Sequence, residues 1–159
     1  MAPNANYVMS TSSTNEPLRF RLATEADIPA MSAIRLAVTE NALSDPGRVT
    51  RQMYVDYLDK LGCGWVCETD EGIIGLSYAD NTDGSIWALF VQPGQEGRGA
   101  GKALLRLAVD WLFAQGWKEL KLGTAANTRA DRFYAAQGWQ RGAMKNAIEV
   151  EYRLARPGS

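Results

Sequence analysis

Val91-Gln-Pro-Gly-Gln-Glu-Gly-Arg-Gly-Ala-Gly-Lys-Ala-Leu-Leu105 decides how this chain is read. Just upstream, Ile86 to Val91 is apolar and aromatic enough for a strand. Just downstream, Leu104, Leu105, Ala108, Trp111 and Leu112 recur at helical spacing. That helix is expected to open near Gly99 and to end at Gly116. Between strand and helix, Gly97, Gly99 and Gly101 alternate with Arg98, Ala100 and Lys102. Glycines lack a Cβ, so such a segment can turn successive backbone N–H groups into one concavity. The helix entrance adds unpaired N–H groups and the positive end of its dipole. The combination is suited to a phosphate or pyrophosphate.

Spacing excludes two common phosphate loops. A P-loop needs glycine five positions before its Gly-Lys pair and a hydroxyl after it. Here those positions hold Glu96 and Ala103. The dinucleotide fingerprint G-x-G-x-x-G, started at Gly97, would need its last glycine where Lys102 stands.

Composition narrows the chemistry. The chain of 159 residues has a net charge of −1, which gives no basic surplus for nucleic acid or an anionic membrane. No apolar run reaches the ~20 residues of a membrane-spanning helix. There is no histidine, so Ser-His-Asp triads, Cys-His pairs and histidine-bound zinc are ruled out. Cys63 and Cys67, four apart on a strand pattern, face one side and read as packed, reduced thiols of a cytoplasmic protein. No metal site is expected.

The remaining elements follow in order. Met1 to Pro17 is polar and reads as a flexible tail, and residues 156–159 as a second tail, leaving one domain over 18–155. Leu18 to Leu22 alternates as a first strand. Thr24 and Asp27 have capping-box spacing before a helix bearing Ile28, Met31, Ile34 and Val38, which runs to about Glu40. Asn41 to Gly47 is a loop. Thr50 caps a second helix with Met53, Tyr54, Tyr57, Leu58 and Leu61 on its apolar face, ended by Gly62. Cys63–Glu68, Ile73–Ala79 and Ser85–Val91 are strands joined by short turns, hence an antiparallel meander, with Trp65, Tyr78 and Trp87 half-buried. Glu119–Gly123 is a further strand. Asn127 or Thr128 caps a helix carrying Ala130, Phe133 and Tyr134 and closed by Gly138. Strands starting at Trp139 and spanning Ile148–Leu154 complete an α/β (α+β) chain, a mixed sheet of about seven strands with about four helices. An edge strand near Ile148 to Leu154 offers a pairing surface for a homodimer.

The order of elements and Glu96-x-x-Gly99-x-Gly101 resemble the GNAT acyltransferase superfamily. Leu89-Phe-Val-Gln-Pro93 resembles the strand end before that family's first signature. Asn127-Thr-Arg-Ala-Asp-Arg-Phe-Tyr-Ala-Ala-Gln-Gly-Trp139 resembles its second, N-x-x-A-x-x-F-Y-x-x-x-G-F/W. The resemblance spans Leu18 to Leu154. It departs at Glu96, where the family has Gln or Arg.

The resemblance implies an enzyme that moves the acetyl group of acetyl-CoA to a primary amine by direct attack, with a small-molecule acceptor. A protein or peptide acceptor, or a non-catalytic acyl-CoA-binding module, are the rival expectations. It implies that Gly97, Arg98, Gly99, Ala100, Gly101 and Lys102 hold pyrophosphate, and that the Phe90 and Val91 backbone lines the pantetheine. The Val91 N–H would also hold the carbonyl oxygen. Asn127 would bond the cofactor or simply cap its helix. Arg129 and Arg132 could reach the 3′-phosphate, but a solvated helix face is the preferred reading of them. Tyr134 would protonate the departing thiolate; on residue type alone it would read as core. Glu40, Glu68, Asp80, Glu149 or a water chain would take the amine proton. The acceptor pocket is expected from the Glu40 to Thr50 loop, Trp65, Tyr78, Trp87 and the Arg141 to Glu149 segment.

Overall fold

In the computed structural model of the chain, residues 17–39, 51–59 and 61–158 are described. The tail before Pro17, Glu40 and the Asn41 to Gly47 loop, and Thr50 lie outside the described residues. Strand β1 is Arg19–Leu22. Thr24 then donates its N–H to the Asp27 carboxylate (2.8 Å), which opens one 3-10 turn leading into α1, Ile28–Thr39. Arg21 grips the same carboxylate with two nitrogens (2.8 and 2.9 Å), and this lowers the Asp27 pKa to about 2. Helix α2 is Arg51–Asp59. The meander follows as β2, Gly62–Thr69, β3, Gly72–Asp80, and β4, Ser85–Val91. Helix α3, Ala100–Ala114, crosses over to β5, Glu119–Ala125. Helix α4, Arg129–Ala136, leads to β6, Gln140–Met144, and β7, Glu149–Ala155.

These strands form one mixed sheet in the order β1-β2-β3-β4-β5-β7-β6. Apolar side chains alternate between its faces. Met31, Ile34 and Tyr54 of α1 and α2 pack on Val66, Leu76, Tyr78 and Ala88 on one face. Leu104, Ala108 and Leu112 of α3, with Tyr134 of α4, pack on Trp65, Cys67, Ile74 and Ile86 on the other. Both cysteines belong to that second face, as their spacing requires.

The sheet is not continuous. All its strand pairs are antiparallel ladders except β4 with β5, which run parallel and pair only Ser85 with Lys121. A bulge causes the departure. Tyr78 faces Ala88 and Ala79 faces Ile86, so Trp87 is an extra residue in β4. It puts Trp87 and Ala88 on the same face and redirects β4 just after its contact with β5. The joined end is latched: Trp117 donates to the Asn81 side chain (2.8 Å), and its ring covers Gly84, where a Cβ would sit 2.7 Å from it.

Five expectations need correction. Gly62 does not end α2; it starts β2, and glycine is needed there because a Cβ would run into the Ala79 carbonyl oxygen. Leu61 lies beyond α2, and its carbonyl accepts from Asn81. Trp65 and Tyr78 are fully buried rather than half-buried, because helices cover both faces of the meander. Val38 is exposed, in the last turn of α1. Strand β7 is internal, between β5 and β6, so the edge belongs to β6.

Replacing Gly62 with Ala is expected to cost at least ~3 kcal/mol, because the obstacle is backbone that cannot move without breaking the ladder. For a domain of this size that is a fall of about 10 °C in Tm. A melt within about 2 °C of the wild type would show that the β2–β3 pair has room.

Candidate functional site

The glycine-rich turn sits where β4 leaves the sheet. Gln92 N–H bonds the Ile74 carbonyl (2.7 Å), the last rung between β4 and β3. Strand alternation then settles which backbone groups face the gap. Gln92 and Phe90 point toward β3; Val91 and Leu89 present their N–H and C=O on the opposite, β5 side. Of the expected pair Phe90 and Val91, only Val91 has its backbone free of the β3 ladder. Leu89 is its missed companion, recoverable from the period of two.

Beyond Gln92 the chain turns tightly. Gln95 N–H bonds the Gln92 carbonyl (2.9 Å), and Arg98 bonds the Gln95 side chain (2.9 Å). Gly97 and Gly99 have φ of 83° and 90°, a left-handed conformation costly for other residues. Arg98 between them does not, so the backbone alternates in the manner of an anion-binding nest. Gly99 caps α3, whose first turn closes with Ala103 N–H to the Gly99 carbonyl (3.1 Å). The N–H groups of Ala100, Gly101 and Lys102 precede that bond and have no carbonyl inside the helix.

Glu96 is accounted for locally. Its carboxylate accepts the Gly94 N–H (2.9 Å), and hydrogen bonds from its own and the Gly94 amide lower its pKa. The Arg129 charge contributes in the same direction.

The two signatures meet across the gap. A Cβ on Gly101 would lie 3.6 Å from Val91 Cγ2 and 3.8 Å from Phe133 Cζ. Thr128, not Asn127, caps α4: its Oγ1 accepts the Asp131 N–H at 3.3 Å. Asn127 adopts φ 63°, the one left-handed residue other than glycine among those described, and donates its N–H to Asp131 (2.7 Å). Tyr134 is 7% exposed, with its ring 5.3 Å from Phe133, 5.9 Å from Tyr152 and 6.1 Å from Trp139. Burial raises its pKa well above that of an ordinary phenol. Arg129 and Arg132 are exposed. A groove of about 480 Å³ runs on from Gly99 between α3 and the far half of the sheet, with Lys102, Arg106, Trp139 and Leu154 among its walls.

The other expected residues divide. Glu68 is bonded to Arg21 (2.7 Å) and lies 3.9 Å from Arg19. Asp80 is buried and accepts the Thr82 N–H (2.8 Å) and hydroxyl, closing the β3–β4 turn. Glu149 lies over Gly123 of β5, as does the Lys145 ammonium. Trp65 faces α3 while Tyr78 and Trp87 face α2, so the three aromatics cannot wall one pocket. Burial raises both thiols, Cys67 to about 12, which leaves them unreactive.

Sequence reading overlooked Asp131, Arg141 and Tyr152. Arg141 reaches Asp131 with two nitrogens (both 3.0 Å), and the Tyr152 hydroxyl donates to the same carboxylate. The signal was there: Thr128-x-x-Asp131 has capping-box spacing.

A mixed sheet parted between two parallel strands, with a glycine-rich turn at the mouth, is a fold shared with several solved structures. The PaiA N-acetyltransferase of Thermoplasma acidophilum, solved with coenzyme A, has a TM-score of 0.73 at 14% identity over 87% of this chain and 99% of its own. The yncA protein of Salmonella typhimurium, solved with acetyl-CoA, gives 0.73 at 16% over 89% and 95%. The ribosomal-protein-alanine N-acetyltransferase of Brucella melitensis gives 0.71 at 20% over 87% and 99%. No curated protein matches the chain by sequence. The family model described as Acetyltransferase (GNAT) family matches residues 30–139, more than half of the chain, and the protein belongs to that family. Among the described residues, no helix is long and apolar enough to cross a membrane, and no group of three or more acidic or cysteine side chains is placed to hold a metal ion.

The Asp131 carboxyl is held well below the usual carboxylate range, first by Arg141 and then by Tyr152 and the Asn127 amide. A depressed folded-state pKa stabilises above the unfolded value near 4, and that stability is lost as pH falls below it. Asp131→Asn is therefore expected to lower Tm at pH 7, with the gap to wild type narrowing as pH drops below about 4. A gap unchanged from pH 7 to pH 3 in thermal melts would contradict the charged pairing.

Proposed function

We propose that the domain over residues 18–155 transfers the acetyl group of acetyl-CoA to a primary amine of a small molecule by direct attack in a ternary complex. The observation that carries this reading is the gap between β4 and β5, which begins past Ser85 and opens beside the nest at Gly97 to Lys102. The cradle fits a pyrophosphate: two left-handed glycines, free N–H groups at a helix start, and Arg98, Lys102 and Arg129 in the neighbourhood. The backbone of Leu89 and Val91 is suited to bond an extended pantetheine arm as an added strand would. Asn127 is assigned to the same arm, and the groove past Gly99 to the adenosine end.

Acetyl-CoA supplies the thioester; the chain supplies placement and charge. The Val91 N–H faces the gap and can stabilise negative charge that grows on the carbonyl oxygen. Tyr134, packed on the α3 side of the sheet, is assigned as proton donor to the departing sulfur, and burial favours its protonated form. Reference pKa values make that transfer uphill by about 2 kcal/mol, and burial of the phenol raises the gap. The proton therefore moves only as negative charge develops on the sulfur beside it. Of the described carboxylates weighed for the amine proton, Glu149 is the one lying over β5, on the face away from Tyr134. We assign it that role.

Thiol release from acetyl-CoA, assayed against small amines and short peptides, tests the reading. Release with a small amine supports it; release with peptides alone transfers the activity to protein acceptors; none with any acceptor leaves a binding module. Tyr134→Phe is expected to keep coenzyme A affinity while kcat falls about 100-fold or more. Full activity would make Tyr134 structural. Gly101→Asp introduces a carboxylate at the cradle without the positive-φ strain a Gly99 variant would add. It should lower coenzyme A affinity in calorimetry at least tenfold, roughly the effect of one misplaced charge. Unchanged affinity would remove the cradle assignment.

A further inference from the structure

Asp131 stands in the first turn of α4 and is 5% exposed. Its carboxylate takes four hydrogen bonds from three separate places in the chain. Asn127 N–H comes from the β5–α4 turn (2.7 Å). Arg141 Nε and Nη2 come from β6 (3.0 Å each). The Tyr152 hydroxyl comes from β7 and also reaches the Asp131 carbonyl at 2.8 Å. The acid is well sited electrically, since the start of a helix favours negative charge. Strand β6 is exposed along its whole length and pairs with β7, and the Arg141 side chain ties it to α4 as well.

Each contact acts on a different part of the cleft wall. The bond to Asn127 fixes a left-handed backbone that costs energy to hold and that sets where the Asn127 side chain starts. The bond to Tyr152 fixes a fully buried ring that packs 5.9 Å from Tyr134. The helix turn carrying both Asp131 and Phe133 is thereby held against Gly101 and Val91. Without the carboxylate, Arg141 can turn to water because it is half-exposed. Tyr152 cannot, and its hydroxyl would be left buried with one acceptor fewer.

We propose that Asp131 is a positioning residue: through Asn127 and Tyr152 it sets the place of the Asn127 and Tyr134 side chains in the transfer cleft, and Arg141 holds Asp131 ionised and oriented for that task. This rests on the acetyl-transfer reading above.

The test uses the full chain with Asp131→Ala, Arg141→Gln and the double variant Asp131→Asn/Arg141→Gln, assayed with the best amine from the panel. For Asp131→Ala, kcat should fall about 10- to 100-fold, the scale of a small misplacement of reacting groups, with KM for the amine within about twofold. The double variant keeps one acceptor oxygen where Asn127 and Tyr152 use separate ones, so only part of the kcat should return. A second readout is independent of turnover. The Asn127 amide proton in NMR should shift strongly in Asp131→Ala relative to the wild type. Wild-type kcat in a folded Asp131→Ala would overturn the proposal, as would an unmoved Asn127 amide. A folded double variant with kcat no higher than Asp131→Ala would do the same. If the wild type releases no thiol with any acceptor, the acetyl-transfer reading fails, and the NMR comparison alone decides whether Asp131 positions the turn.

Discussion

Strands β4 and β5 pair only at Ser85 with Lys121, and the proposed site depends on their parting after it. A continuous ladder would consume the backbone groups of Leu89 and Val91 and leave no slot for an extended ligand. The parting is produced by local means. Trp87 is inserted as a bulge, which bends β4 and increases its twist. The latch of Trp117 on Asn81 and Gly84 keeps the strands together at their starts. Helices α3 and α4 then cover one face, so that the gap has walls.

Much of this was legible in the sequence. Apolar patterning and turn residues located the strands and helices described, although β2 and β3 are buried on both faces and β6 on neither. The glycine turn was legible as a turn into a helix, and Gly97 and Gly99 take the left-handed backbone that glycine permits there. What could not be read is what depends on distant partners. Gly62 looked like a helix stop because it follows an apolar helix; it is required instead by the carbonyl of Ala79 in the neighbouring strand. The three aromatics Trp65, Tyr78 and Trp87 looked like one wall. The bulge and the alternation of the sheet distribute them over two faces, which no local pattern announces.

Two carboxylates near an anion cradle present an electrostatic difficulty, and the structure meets both in the same way. Glu96 bonds the Gly94 amide within the turn, and Asp131 bonds the Asn127 amide and Arg141. Each is already satisfied by donors that shape the backbone. The negative charges thus order the glycine turn and the start of α4.

Tyr134 shows how burial and chemistry pull against each other. The apolar ring cluster that fixes its position also raises its pKa, which guarantees the proton but makes it harder to give away. A surface tyrosine would release the proton more readily and would be poorly aimed. In the proposed transfer, a growing charge on the departing sulfur would act on the phenol with less screening than in solution. The environment that raises the barrier for an isolated phenol would then strengthen the coupling that lowers it. A buried phenol is then suited to protonating a leaving group at the moment of departure, and poorly suited to acting as a free acid at any other time.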